Sequence, residues 1–243
     1  ISAPNFRNNG MLAVASGMIS TPGVLAAGND GTLNGGSGSG TIDVDGGSVT
    51  SGAVLLGSAA GGSGNLSVRG SGTLSTGKLA ANDVVVDGGT ITILDQTGNP
   101  PDAVLDASMV GGFARDGAFH LYSGTVTTPK LKLGVTAGMT GFYEQTGGTL
   151  SAGDVFIGSP EGGIGELRWS GGSLTAQTLT MAGPATLGVS IANATLGSGY
   201  AQLAVSGHAA LAGTLEIAFT DGYQPQPGTL FAVLSFGSRS GEF

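Results

Sequence analysis

The chain is predicted to be all-β, a right-handed parallel β-helix (a β-solenoid) with rungs of about 24 residues. Three observations carry that prediction: a glycine excess inside an apolar composition, a short glycine-led unit that keeps returning, and alternating segments too short for helices. Glycine supplies 48 of 243 residues, against a usual share of about 7%. Disorder would need low hydrophobicity and high charge. Here 40% of residues are hydrophobic, 10% are charged and the mean hydropathy is +0.26, so the glycines read as turn punctuation in a chain able to bury a core. Collagen is excluded because glycine does not recur at every third position.

The recurring unit is Gly-[Ser/Thr]-apolar. It appears at Gly47-Ser48-Val49, Gly72-Thr73-Leu74, Gly89-Thr90-Ile91, Gly124-Thr125-Val126, Gly148-Thr149-Leu150 and Gly172-Ser173-Leu174, with a degenerate copy at Gly17-Met18-Ile19. Successive offsets among the six are 25, 17, 35, 24 and 24 residues. Between the units lie alternating pairs such as Leu66 and Val68, Leu167 and Trp169, Val155 and Ile157, and Leu179 and Met181. Period-two alternation marks strands with one buried face, and the Gly-Gly and Ser-Gly pairs between them mark turns. A unit of this length cannot close its own core. Three strands of four to five residues and three turns make one coil, and stacked coils pair each strand with its equivalent about 4.8 Å away. Roughly ten rungs then give a rod on the order of 50 Å long, right-handed by the crossover rule. The rival architecture, an antiparallel sandwich, also alternates but has no reason to repeat itself.

Two places depart from the repeat. Residues 94–118, including Asn99-Pro100-Pro101-Asp102, account for the offset of 35 and read as a loop insertion, with a short turn of helix expected at Asp102–Met109. Such an insertion is either a tolerated surface loop or a binding face. After Gly183-Pro184 the double-glycine unit stops and longer strands are expected at Ala185–Ala192, Tyr200–Ser206, Gly213–Thr220 and Gly228–Phe236. The organisation is therefore residues 1–183 as a repeat solenoid and 184–243 as C-terminal rungs continuous with it. The start, Ile1 to Phe6, lacks an initiating Met and a leader-like apolar run, and the end, Ser240 to Phe243, reads as cut; both are expected to be boundaries of a longer product.

Charge and composition exclude several functions. The formal charge is −8 and the pI about 4.4, with 8 Lys and Arg scattered thinly, so nucleic acid is not an expected partner. The absence of Cys removes disulfides and thiolate metal sites. No apolar run reaches the roughly 20 residues of a membrane span.

No catalytic, metal or cofactor site is expected. Asp43 and Asp45 flank an inward Val44 and would face solvent together. Paired carboxylates serve acid–base chemistry or Ca²⁺, yet the basic residues such a site needs, Arg69, Lys78 and Arg168, read as scattered over unrelated rungs. Asp30 in the stretch Gly28–Gly40 is alone where a calcium nonapeptide repeat needs one Asp in each nine, and the Gly36–Gly40 stretch lacks the Lys and helix of a phosphate loop. His120 and His208 lie far apart with no carboxylate pattern beside them, short of a zinc ligand set. Thr90 and Thr92, with Thr125 and Thr127, suggest Thr-x-Thr rows that would match a repeating surface such as ice or crystalline polysaccharide. Thr149 and Ser151 depart from that pattern, and the row reads as too ragged. Tyr122, Tyr143 and Trp169 would make a sugar-stacking stripe if exposed and core columns if not.

The tail Ala201-Gln202-Leu203 to Gly213-Thr214-Leu215, followed by Gly222-Tyr223-Gln224-Pro225-Gln226-Pro227-Gly228 and Phe231, resembles the C-terminal part of autotransporter passenger domains and of related bacterial surface β-helix proteins, including those with PEP-CTERM sorting tails. The repeats with Gly-Gly-Thr-Leu followed by Ile-Gly resemble the same group. The resemblance covers most of the chain through repeat style and one short motif, and neither a translocator barrel nor a sorting tail is in the sequence. It implies a right-handed β-helix outside a Gram-negative-type cell, in a group of adhesins, matrix proteins and filament formers, and it carries over no catalytic residue. The expected function is a non-catalytic, extracellular structural protein displayed at the cell surface, without cofactor, that self-associates through its solenoid ends into a homo-oligomer or filament. The alternatives are an adhesin or carbohydrate-binding module meeting surface glycans and, less favoured, a polysaccharide-degrading β-helix enzyme.

Overall fold

A computed structural model describes residues 1–4, 6–8, 10–28, 39–57, 63–94, 105–106, 109–110, 113–114 and 116–243. Among these residues there is no helix, and all but one of the strand ladders are parallel. Two parallel sheets, of twelve and nine strands, run the length of the molecule. The antiparallel sandwich is thereby excluded, and the parallel β-solenoid is the fold.

Each rung contributes one short strand to the nine-stranded sheet and one long strand to the other. The rung of Thr140–Gln145 and Thr149–Ile157 is representative; it pairs in full register with Ile164–Trp169 and Ser173–Met181, 24 residues on. The long strands are two strands joined. In Thr125–Leu133, Val126 and Thr128 point inward, Pro129 and Lys130 both face outward, and inward alternation resumes at Leu131 and Leu133. Two successive outward residues turn a corner without breaking the ladder, so each rung is a three-faced coil.

Alternation places one side chain per rung in each inward column, most of them aliphatic or aromatic. One column runs Ile42, Leu66, Val84, Phe119, Tyr143, Leu167 and Leu187, all buried. Another runs Val49, Leu74, Ile91, Val126, Leu150, Leu174 and Leu203. The alternating pairs read from the sequence all point inward and are buried, Trp169 and Met181 included. Burying one such side chain contributes about 1.5–3 kcal/mol. Stability therefore accumulates rung by rung, as in other solenoids.

Rung length varies in the turns. The offset of 17 arises where Leu79–Ala80 passes to Asp83–Asp87 through Ala81 and Asn82 alone, and the Asn82 side-chain oxygen accepts from Gly64 N at 2.6 Å. The equivalent turn after Ile157 runs from 158 to 163. The offset of 35 arises at the corner of the long strand. Thr90–Ile93 supplies its first half, and Leu105–Asp106 supplies the second by pairing with Leu131 and Lys132 on one side and Leu79 on the other. The helical turn expected at Asp102–Met109 is contradicted at its described residues: Leu105–Asp106 is strand, and Met109–Val110 opens an antiparallel pair with Phe113–Ala114. The remainder of the 94–118 insertion lies largely outside the described residues.

Beyond residue 184 the strands Ala185–Ile191, Leu203–Leu211, Thr214–Phe219 and Leu234–Gly241 extend the same two sheets. Three of them start later than the sequence suggested, at Leu203, Thr214 and Leu234. Residues 222–233, with Pro225 and Pro227, form a turn instead of strand, since proline cannot donate to a ladder. Tyr223 there packs against Phe219 at 6.0 Å and Phe231 at 6.3 Å, and Phe231 meets Tyr200 at 5.5 Å. The Gly-Tyr-x-Pro motif thus knots one corner of the last two rungs with aromatic rings.

Candidate binding faces

The three outer faces differ in chemistry. The nine-stranded sheet carries seven carboxylates together with Arg69, His120 and Arg168. Down one of its outward columns stand Asp43, Ser67, Val85, His120, Glu144, Arg168 and, past Gly188, Glu216. His120 Nδ1 is 3.0 Å from a Glu144 carboxylate oxygen, and its Nε2 is 3.9 Å from Asp83. No carboxylate lies beside His120 in the local sequence pattern; stacking brings two from adjacent rungs, 24 and 37 residues away in sequence. Arg168 donates to Glu166 and, at 2.7 Å, to Glu216. Partial burial works against the Arg168 charge, but these hydrogen bonds and charges outweigh it and hold the guanidinium pKa above its usual value.

Asp43 and Asp45 do flank a fully buried Val44. Their next-rung neighbours are Ser67 and Arg69, not further acids. Arg69 stands in register beside Asp45, so one of the basic residues read as remote from that pair adjoins it. An Asp43 oxygen, an Asp83 oxygen and Ser67 Oγ are buried without a hydrogen-bond partner. Among the described residues no three His, Asp or Glu converge as a metal-ligand group. His208 bonds Ser238 and Ser240 at 3.0 and 2.9 Å, on the other sheet. Asp30 lies outside the described residues, as does most of the Gly28–Gly40 stretch.

Tyr143 and Trp169 belong to the core, and Tyr122 alone of the three aromatic candidates is exposed. Tyr143 stacks on Phe119 at 5.4 Å, and Trp169 Nε1 donates to the Ala201 carbonyl at 2.9 Å. The sugar-stacking stripe is therefore replaced by interior columns.

The first half of the long strands presents hydroxyls. The registers set Ser48 and Thr50 beside Thr73 and Ser75, then Thr90 and Thr92, Thr125 and Thr127, Thr149 and Ser151, and Ser173 and Thr175. Every one of these twelve side chains is half-buried or exposed. Among the described residues only Thr175 of the twelve finds a side-chain hydrogen bond, donating to the Leu150 carbonyl at 3.2 Å. The row read as ragged in the sequence is thus an unbroken two-column ladder over six rungs, about 24 Å long. Variable turn lengths hid it, because equivalent positions are separated by 17 to 35 residues. The signal that would have found it is Ser/Thr-x-Ser/Thr around the inward apolar residue of each glycine-led unit.

Beside the ladder runs a groove of about 520 Å³, bordered by Thr127, Ser151, Gly153 and Gln177 with Lys130 and Asp154 on its far wall. A second, of about 380 Å³, shares Ser151 and Gln177 and continues past Thr175 to Ser235. A separate depression of about 470 Å³ is lined by Val135, Phe156, Pro160, Met181 and the lone carboxylate of Glu161. The Ser159 hydroxyl and Glu161's own amide both bond to hold that carboxyl below its usual pKa.

Comparison with protein-family models, curated proteins and solved structures finds no match to this chain.

Proposed function

We propose that the protein is a non-catalytic, extracellular structural element: a surface-displayed rod that extends by stacking the first rung of one copy on the last rung of another. One observation carries this reading. The last rung is uncovered at positions where the rung before it, at Val189, Ile191 and Val205, is buried. Ile217, Phe219 and Phe236 are 46%, 46% and 38% exposed, and strands Thr214–Phe219 and Leu234–Gly241 pair on one side only. At the opposite end Phe6 and Leu12 are only partly covered. Unpaired parallel edges beside uncovered apolar columns are templates for another strand. Parallel head-to-tail stacking continues the existing ladders, and such a heterologous contact does not close, so it yields filaments. The extracellular placement rests on the likeness of repeat style to bacterial surface β-helix proteins.

Negative-stain electron microscopy at several concentrations tests the assembly. Fibres of uniform width that lengthen with concentration are expected, and Ile217→Lys with Phe236→Lys is expected to shorten them. Isolated short rods at every concentration would contradict it.

A further inference from the structure

The hydroxyl ladder has no part in end-to-end stacking, since it lies along the side of the rod. We infer that the ladder and its adjoining groove bind an uncharged linear polysaccharide lying along the solenoid axis. The direction follows from register. Thr127, Ser151 and Thr175 occupy equivalent positions on successive rungs, so the groove crosses the strands and repeats about every 4.8 Å.

The neutrality of the ligand follows from how charge is partitioned. The twelve ladder positions hold no ionisable side chain, while seven carboxylates and Arg168 stand on the nine-stranded sheet and Lys130, Lys132 and Asp154 lie past the corner of the long strands. The groove wall carries one charge of each sign, and Asp154 already accepts a hydrogen bond from Thr178 at 2.8 Å. With a formal charge of −8, the molecule as a whole repels polyanions.

The polymer class follows from the donors. A hydroxyl both donates and accepts, and eleven of the twelve have no hydrogen-bond partner among the described residues, so the face offers what a chain of sugar hydroxyls requires. A peptide would add as a strand to an edge, but the backbone groups of these rungs are already paired on both sides. Each contact is weak against water, and a ligand spanning several rungs sums them.

Depletion of the purified protein by microcrystalline cellulose, beside a soluble neutral β-glucan and alginate, tests this. Retention by both neutral glucans and none by alginate is expected. Binding is expected to fall at least tenfold in Thr127→Val/Ser151→Ala/Thr175→Val with the melting temperature little changed. If that triple variant does not fold, the exposed single change Ser151→Asp is expected to give the same loss. No retention by either glucan, equal retention by alginate, or wild-type binding by the folded variants would overturn the inference. So would arrest of ice growth by a protein that no glucan retains.

Discussion

Tyr143 and Gln145 are polar residues inside two neighbouring apolar columns, and each is fully buried. The Tyr143 hydroxyl donates to the Gln145 side-chain oxygen at 3.0 Å, while Gln145 Nε2 reaches the carbonyls of Gly148 and Ser173, both at 3.2 Å. The amide therefore ties its own turn to the next rung. Burial pushes the Tyr143 pKa well above 10. A folded-state pKa raised above the unfolded value contributes stability that is complete below the unfolded pKa and is lost as pH rises beyond it. Wild type is thus expected to lose stability above about pH 10 more steeply than Tyr143→Phe. At neutral pH the variant is expected to be weaker by about 1 kcal/mol for the lost hydrogen bond. Thermal melts of both proteins from pH 7 to 11 check the sign in each window. Glu161 works oppositely: its lowered pKa means its contribution is present above the ordinary carboxylate range and lost in acid. The inward direction of Tyr143 was open in the sequence, because alternation names two faces without saying which is the core. Its role as an interior partner of Gln145 was not legible, since a glutamine in an apolar column breaks the rule that located the column.

At the scale of the element, the long strands are shaped by their corners. Ser51, Thr76 and Thr128 point inward there and are nearly or wholly buried. Each donates to the carbonyl two residues on, Ala53, Lys78 and Lys130, at 2.7 to 2.9 Å. The hydroxyl thus adds a local bond at the corner carbonyl, and that of Lys78 also accepts from Val54 N at 2.8 Å. Just beyond, at Gly52 and Gly153, a Cβ would stand 2.3 Å from the carbonyl oxygen of Pro22 or Pro129 in the rung before. Gly153 has no positive φ, so its constraint is steric. Gly153→Ala is expected to cost about 1–3 kcal/mol, the range for forced overpacking, whereas Gly183→Ala, with open space around its Cβ, is expected to be close to neutral. Denaturant unfolding of the pair separates crowding from any general effect of glycine replacement. Strand positions were legible because alternation and glycine turns are local. The merging of two strands through a corner was not, because the bend keeps the ladder and only a slip in alternation at Pro129 and Lys130 marks it.

Across the whole molecule, the fold is a one-dimensional stack and its chemistry is read down columns. That explains why the sequence showed the solenoid and concealed its faces. The offset of 24 sufficed to predict stacking, but columns such as Thr92 beside Thr127 or His120 between Asp83 and Glu144 depend on register across turns of unequal length. An acidic column and a hydroxyl ladder thus stand on different sheets of one stack. Register is therefore the claim on which the hydroxyl ladder, the His120 cluster and the corner contacts all depend, and the absence of cysteine permits a clean test. Thr92 and Thr127 are paired neighbours across the irregular offset of 35, within the separation a disulfide spans, whereas Thr92 and Ser151 are two rungs apart, roughly 9.6 Å and beyond its reach. The measurement is oxidative cross-linking of Thr92→Cys/Thr127→Cys beside Thr92→Cys/Ser151→Cys, read as intramolecular disulfide yield in the folded monomer. Near-complete closure of the first pair and none of the second is the expected result. Closure of the second, or failure of the first in a folded protein, would contradict the stacked register.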